Sequence, residues 1–287
     1  MRTRQMRSRP WKSMMVVALT AVMYTGMAFA LTAAMYAGTA EAQAGRGTAE
    51  AEGGGMVDHS VYDGLLKKYV DDRGMIDYRT WKARDVGTLD GYLEMIKSVD
   101  PAGLKDRNEV FAYWINTYNA LTIRGMLHFY PTSSIRDHVS VLGYSIWKDY
   151  KIEIQGREYS LDDIEHNILR KMDEPLVHFA LVCASIGCPP LMTEAFTAED
   201  VQRQMKANTL VFFADPSKFR ADPEDNTVWL SPIMDWYKDD FGKNQREVLD
   251  YIAPYVPDDA ARALLKREDV DVDYLHYDWG INEQPAD

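Results

Sequence analysis

Apolar residues change their spacing several times along the chain, and each change marks a predicted element. From residue 57 onward, HSVYDGLLKKYVDDRG carries apolar side chains at helical spacing and stops at a glycine. MIDYRTWKAR reads as a short strand running into a helix, and LDGYLEMIKSVDP as a further helix closed by Pro101. The longest helical pattern runs from Asn108 to His128 and ends at Tyr130 and Pro131. KIEIQGREYS alternates around Gln155 and Gly156, as a hairpin does. SLDDIEHNILRK restarts a helix with Ser160 as N-cap and Asp163 as its capping-box partner. After Pro175, LVHFALV (Leu176 to Val182) has the length and composition of a buried strand. Thr197 caps a helix to Phe213, and NTVWLS is a strand. Pro232 opens a helix through Trp236 to Phe241, stopped by Gly242. A last helix near Gln245 to Tyr255 leads into an irregular tail ending in YLHYDWGIN. Helices outnumber strands without regular alternation, and no internal repeat occurs. The expectation is an α+β fold: one helix-rich domain over residues 57–287 with a small, mostly antiparallel sheet.

Several polar residues fall where this pattern calls for apolar ones. On a wheel at about 100° per residue from Leu161, Ile164 lies near 300°, Ile168 near 340° and Leu169 near 80°, and Glu165 near 40° falls inside that arc. A carboxylate there must find donors or shift its pKa upward, because unpaired burial costs several kcal/mol. It is either a structural cap or ion-pair partner, or a general acid, base or orienting group for a histidine. His166 lies at the edge of this face. On the helix from Asn108, Asn119 falls between Ile115 and Ile123 and Asn116 between Ile123 and Leu127, within a nearly all-round apolar surface; Tyr113 and Arg124 lie on its more polar side. Buried asparagines of this kind brace neighbouring loops or serve a site.

In a strand from Leu176, His178 shares a face with Ala180 and Val182, and Cys183 points the other way, so the two form no ready nucleophile and base pair. Cys183 and Cys188 are the chain's two cysteines, separated by Ala184, Ser185, Ile186 and Gly187. That spacing allows a disulfide contributing roughly 2 kcal/mol, a pair of buried thiols, a nucleophile, or a labile redox pair. No paired metal-ligand spacing and no cofactor motif is present.

Charge and the amino-terminal segment set the context. Arg2, Arg4, Arg7, Arg9 and Lys12 precede an uncharged run from Met14 to Ala37, and Ala40 and Ala42 make an A-x-A-like cleavage site. Residues 1–42 therefore read as a secretory signal, with an uncleaved anchor through residues 14–37 as the alternative, since about 20 apolar residues can span a bilayer. Either way the expected location is periplasmic or secreted, or anchored and facing outward. No cysteine suits a lipid anchor, and no tandem arginine pair is present. Residues 43–56, rich in Gly, Ala and Glu, read as a flexible linker. The whole chain carries a formal charge of −12. Removing the five basic residues and one acid of residues 1–42 takes it to about −16 over roughly 245 residues. Such a surface repels phosphate backbones, which excludes nucleic acid as a partner.

The motifs FAYWINTYNALTIRGMLHFYP, LDDIEHNILR, VHFALVCASIGCPPL, VWLSPIMDWYKDDFG and YLHYDWGIN together resemble the domain of unknown function 547 family, over about Val57 to Asn282. The resemblance implies an exported globular domain without an established reaction, and its characteristic polar positions match Asn116, Asn119, Glu165, His178, Cys183 and Cys188. Gly280 stands where serine is common, so no role is placed there. A helix packed on a strand histidine is also the arrangement of papain-like and transglutaminase-like thiol enzymes, although no cysteine lies on the first helix.

Two functions compete. In a thiol-dependent hydrolase or acyl-transfer enzyme, Cys183 attacks, His178 is the base, Glu165 orients the imidazole, and Asn119 or Asn116 steadies the oxyanion. In a non-catalytic scaffold, the same residues brace a core around a peptide, glycan or small-molecule groove lined by Trp114, Trp147, Trp229 or Trp236. A redox pair at Cys183 and Cys188 is the third option.

Overall fold

The computed structural model describes residues 57–140 and 143–285. The expected signal or anchor and the linker lie outside the described residues. The first three helices are α1 (Ser60–Tyr69), α2 (Tyr78–Arg84) and α3 (Val86–Ser98); α2 and α3 pack against the long α4 (Arg107–Phe129), and α1 packs on α2 and α3. The Asp106 carboxylate accepts from the amides of Asn108 and Glu109 and starts α4; Tyr130 and Pro131 stop it. Sixteen of its residues are buried, so α4 is the axis of the core. Tyr113, expected on the polar side, is fully buried, because its hydroxyl finds the Ile96 carbonyl at 3.0 Å. Arg124 is only half-buried and pairs with Asp90 at 2.5 Å.

A short α5 (Ile146–Asp149) precedes the antiparallel hairpin β1 (Lys151–Ile154) and β2 (Arg157–Ser160), where Lys151 faces Ser160. The hairpin turns through Gln155 and Gly156, both with positive φ. Beyond it lie α6 (Val201–Ala214), β3 (Phe219–Asp222), β4 (Thr227–Leu230), α7 (Ile233–Trp236), α8 (Lys238–Phe241), α9 (Gln245–Ile252), α10 (Asp259–Leu265) and β5 (Asp271–Tyr274). Strand β4 pairs antiparallel with β3 and parallel with β5, giving a second, three-stranded sheet. The molecule is thus helix-rich α+β with two small sheets.

Three local expectations fail. The segment from Ser160 keeps its reciprocal cap, with the Asp163 amide donating to Ser160 Oγ at 3.0 Å and the Ser160 amide to Asp163 Oδ2 at 3.1 Å. It then continues as a π-helix over Asp163–Ile168 and a 3-10 turn over Leu169–Met172, so a uniform wheel describes it poorly. LVHFALV is not a strand: Pro175–Phe179 is a 3-10 turn. The tail is not irregular, since Asp258 caps α10 and β5 joins the sheet. No helix among the described residues is long and apolar enough to cross a membrane.

Candidate functional site

Where the π-helical segment, the Pro175–Phe179 turn, the Cys183–Cys188 loop, α7 and the tail meet, they enclose a cleft of about 280 Å³. Glu165, His178, Cys183 and Cys188 all line it, with Tyr118, Tyr237 and Tyr277.

Glu165 is 9% exposed and satisfied by tyrosines. Tyr118 Oη donates to Oε2 at 3.1 Å, and Tyr237 Oη to Oε1 at 2.5 Å. Burial, reinforced by the Glu165 charge, pushes both phenols well above their ordinary range, so they remain donors. The carboxylate therefore found the donors its position demanded.

His178 is held differently. Its Nε2–H donates to Asp240 Oδ2 at 2.7 Å, and its ring stacks on Tyr237 with centroids 4.1 Å apart. A carboxylate can only accept, so a proton sits on Nε2, and the tautomer this selects carries its lone pair on Nδ1. Asp240 also accepts from Arg170 Nε at 2.6 Å and Nη2 at 2.8 Å. The His178 hydrogen bond first, and then Arg170, hold the Asp240 carboxyl well below its ordinary range. Arg170 Nη1 reaches Nδ1 of His166 at 3.0 Å. Glu165 thus does not orient the imidazole, as the sequence suggested; Asp240 does, and Tyr237 stands between the two carboxylates' networks.

Asn116 and Asn119 do not supply oxyanion donors. Asn119 Nδ2 donates to the Ala180 carbonyl and its Oδ1 accepts from the Val182 amide, both at 2.9 Å. Asn116 grips Phe196 in the same way, at 2.8 Å and 3.0 Å. Each amide is spent on buried backbone, which is the bracing role.

Cys183 and Cys188 form a disulfide, so the Cys183 thiol expected as nucleophile is bonded in this structure. Cys183 is half-buried in the cleft wall and Cys188 is buried. The Cys188 sulfur accepts from the Cys183 amide at 3.0 Å and from Tyr277 Oη at 3.1 Å. Tyr277, whose pKa burial raises, also lies 3.3 Å from the Cys183 sulfur. The tail positions it: the Ile186 and Gly187 amides donate to the carbonyls of Gly280 and Asp278, and the Asn282 amide to that of Ala184.

Of the tryptophans expected at a groove, Trp147 and Trp236 line the cleft. Trp114 is buried in the core, and Trp229 lies in β4 under Arg220. Sequence reasoning missed Trp279, which stacks on Trp236 at 5.7 Å, as well as Asp240, Tyr237 and Tyr277. YKDDFG and YLHYDWGIN carried the residues, but two acids before a helix-stopping glycine look like an ordinary solvated end.

Residues 101–213 match the family model described as a protein of unknown function, DUF547. No curated protein and no solved structure matches the chain. The matched segment holds Glu165, His178 and both cysteines, whereas Tyr237, Asp240 and Tyr277 come from beyond it.

Proposed function

We propose that the cleft performs thiol–disulfide exchange, with the Cys183–Cys188 bond accepting electrons from a dithiol substrate. One observation carries this reading: Cys183 is half-buried in the cleft wall while the buried Cys188 sulfur already accepts two hydrogen bonds. Exchange speeds up as the leaving thiolate is stabilised, and donors from the Cys183 amide and Tyr277 sit where that charge develops.

A substrate thiol gives its proton to Nδ1 of His178, and the thiolate attacks Cys183 Sγ. The S–S bond breaks and its electron pair leaves on Cys188 Sγ. The substrate's second thiolate then attacks its own sulfur in the mixed disulfide and releases Cys183 as thiolate. The dithiol loses two electrons and two protons and becomes a disulfide; the cysteine pair gains the electrons, the proton held by His178 passes to the Cys183 thiolate, and the proton of the second substrate thiol goes to solvent, which leaves Cys188 as the thiolate. Residues 1–42, read as an export signal, would carry the protein to an oxidising compartment suited to this direction.

The hydrolytic reading needs a free Cys183 thiol and an oxyanion donor, and the disulfide and the asparagine braces occupy both. The test of exchange is equilibration in glutathione buffers with alkylation of the thiols formed, alongside oxidation of a dithiol peptide. The expected reduction potential lies above about −300 mV, the upper bound typical of structural disulfides. A bond that opens only below that value, with no peptide oxidation, overturns the proposal.

A specific observation favours one second reading, a peptide- or glycan-binding cleft. Trp236 is 47% exposed beside Trp279, an aromatic wall of the kind ligand rings stack on. Saturable quenching of tryptophan fluorescence by a glycan, unchanged in a Cys183→Ala, Cys188→Ala double variant and lost in Trp236→Ala, would establish it. Absence of such quenching across oligosaccharide and peptide panels would remove it.

A further inference from the structure

Beside the disulfide loop lies a second cavity of about 310 Å³ that shares Cys188 and Pro189 with the cleft. Lys218 lines it and is 5% exposed. Its ammonium donates to the carbonyl of Ile186, inside the Cys183–Cys188 loop, and no carboxylate among the described residues comes within salt-bridge distance of it. A buried ammonium without an ion-pair partner is costly even after relaxation. Burial accordingly lowers its pKa, and the carboxylates of Asp215 and Asp278 offset part of the effect. A carbonyl hydrogen bond alone leaves much of that cost standing. The oxidised loop offers no negative charge to answer it, whereas opening the disulfide creates one on Cys188.

We propose that Lys218 is a positioning residue for the reduced state: anchored on the Ile186 carbonyl, its ammonium stabilises the Cys188 thiolate released when the disulfide opens. This rests on the exchange reading and assigns its leaving thiolate a counter-charge. Two groups of charged and titratable residues surround Cys188. Asp72, Arg73, Asp215 and Lys218 lie in the second cavity, and Tyr118, Lys148, Asp162, Glu165, His166, His178, Tyr237 and Tyr277 in the cleft. Arg73 is already paired with Asp71 at 2.9 Å, and Lys148 lines the cleft, but it is Lys218 that donates to a carbonyl of the disulfide loop itself.

The experiment compares Lys218→Met and Lys218→Arg with the wild-type protein in two measurements. The first is the reduction potential of the cysteine pair. The expected result is at least a tenfold shift toward the oxidised form in Lys218→Met, about 30 mV more negative, with Lys218→Arg near wild type. The second is the pH titration of the Cys188 thiol in a Cys183→Ser background, read by thiolate absorbance, where Lys218→Met is expected to raise the midpoint. Should Lys218→Met not fold, Lys218→Gln, which can still donate to the carbonyl, makes the same comparison. An unchanged potential and thiol titration alongside a lowered melting temperature would make Lys218 a structural brace and overturn the proposal. A wild-type disulfide that cannot be opened in the accessible range would refute the exchange reading instead, and the Cys183→Ser titration would still report on Lys218.

Discussion

Replacing Asn119 with alanine tests the assignment of the α4 asparagines to bracing. The substitution leaves two buried backbone groups without partners, the Ala180 carbonyl and the Val182 amide, each now bonded at 2.9 Å. An orphaned buried polar group costs about 1–3 kcal/mol, so the pair should cost roughly 2–6 kcal/mol. Asn119 is 2% exposed, so water cannot replace the amide without opening the packing. Urea unfolding followed by tryptophan fluorescence measures the loss, with the midpoint falling and the slope m unchanged. In a domain of this size the melting temperature should drop by roughly 4–24 °C. Asn119→Asp is the control: it keeps the acceptor for Val182, loses the donor to Ala180 and buries a charge, so it should be no better than alanine. A loss below about 1 kcal/mol for Asn119→Ala would refute the reasoning, since the two hydrogen bonds would then be dispensable.

Three further outcomes are expected. Tyr237→Phe keeps the ring that stacks on His178 but removes the donor to Glu165, at a cost of about 1.5–3 kcal/mol, the range for hydrogen bonds to charged groups; thermal unfolding indistinguishable from wild type would contradict the network. Gly187→Ala places a Cβ 2.8 Å from the Tyr277 ring, so the ring must shift and draw its hydroxyl off the Cys188 sulfur. A stability loss of about 1–3 kcal/mol and slower exchange are expected, by calorimetry and dithiol oxidation. Asp240 has a folded-state pKa below its ordinary 3.8, so its stabilisation is complete above about pH 4 and is lost as the pH falls below that value. Acid unfolding of Asp240→Asn should be shallower than wild type over this range, and parallel curves would exclude Asp240 as a contributor.

How far the sequence revealed this arrangement can be judged element by element. The α4 pattern was legible because an all-round apolar helix leaves its asparagines only backbone to bond. Glu165 was legible for a related reason, its place among Leu161, Ile164 and Leu169, all buried. The segment around His178 was not, because a short apolar run after proline fits a strand and a buried turn equally well. What decides it is where the backbone bonds go. Asn119 takes the Ala180 carbonyl, and Asn208 of α6 takes those of Phe179 at 2.6 Å and Pro190 at 2.9 Å. Side chains from two helices thus do what a neighbouring strand would do, and no local pattern announces that. Asp240 lies 62 residues beyond His178 and was invisible for the same reason.

The remaining question from the sequence was whether Glu165 and His178 meet. They are joined through Tyr237, whose hydroxyl serves one and whose ring covers the other. The Arg170 guanidinium sits 5.1 Å from the centre of that ring while binding Asp240, so one cation steadies both the phenol and the imidazole's partner. Glu165 consequently acts on the cleft through hydroxyl donors that stay protonated, and His178 through a carboxylate that stays ionised. The division separates a buried carboxylate held by two phenols from an imidazole held by the Asp240–Arg170 pair, and both line the same cleft as the disulfide. It also explains why the chain needs residues beyond 213 to finish the site: the matched segment supplies Glu165, His178 and the sulfurs, and the later segments supply the groups that fix their orientation.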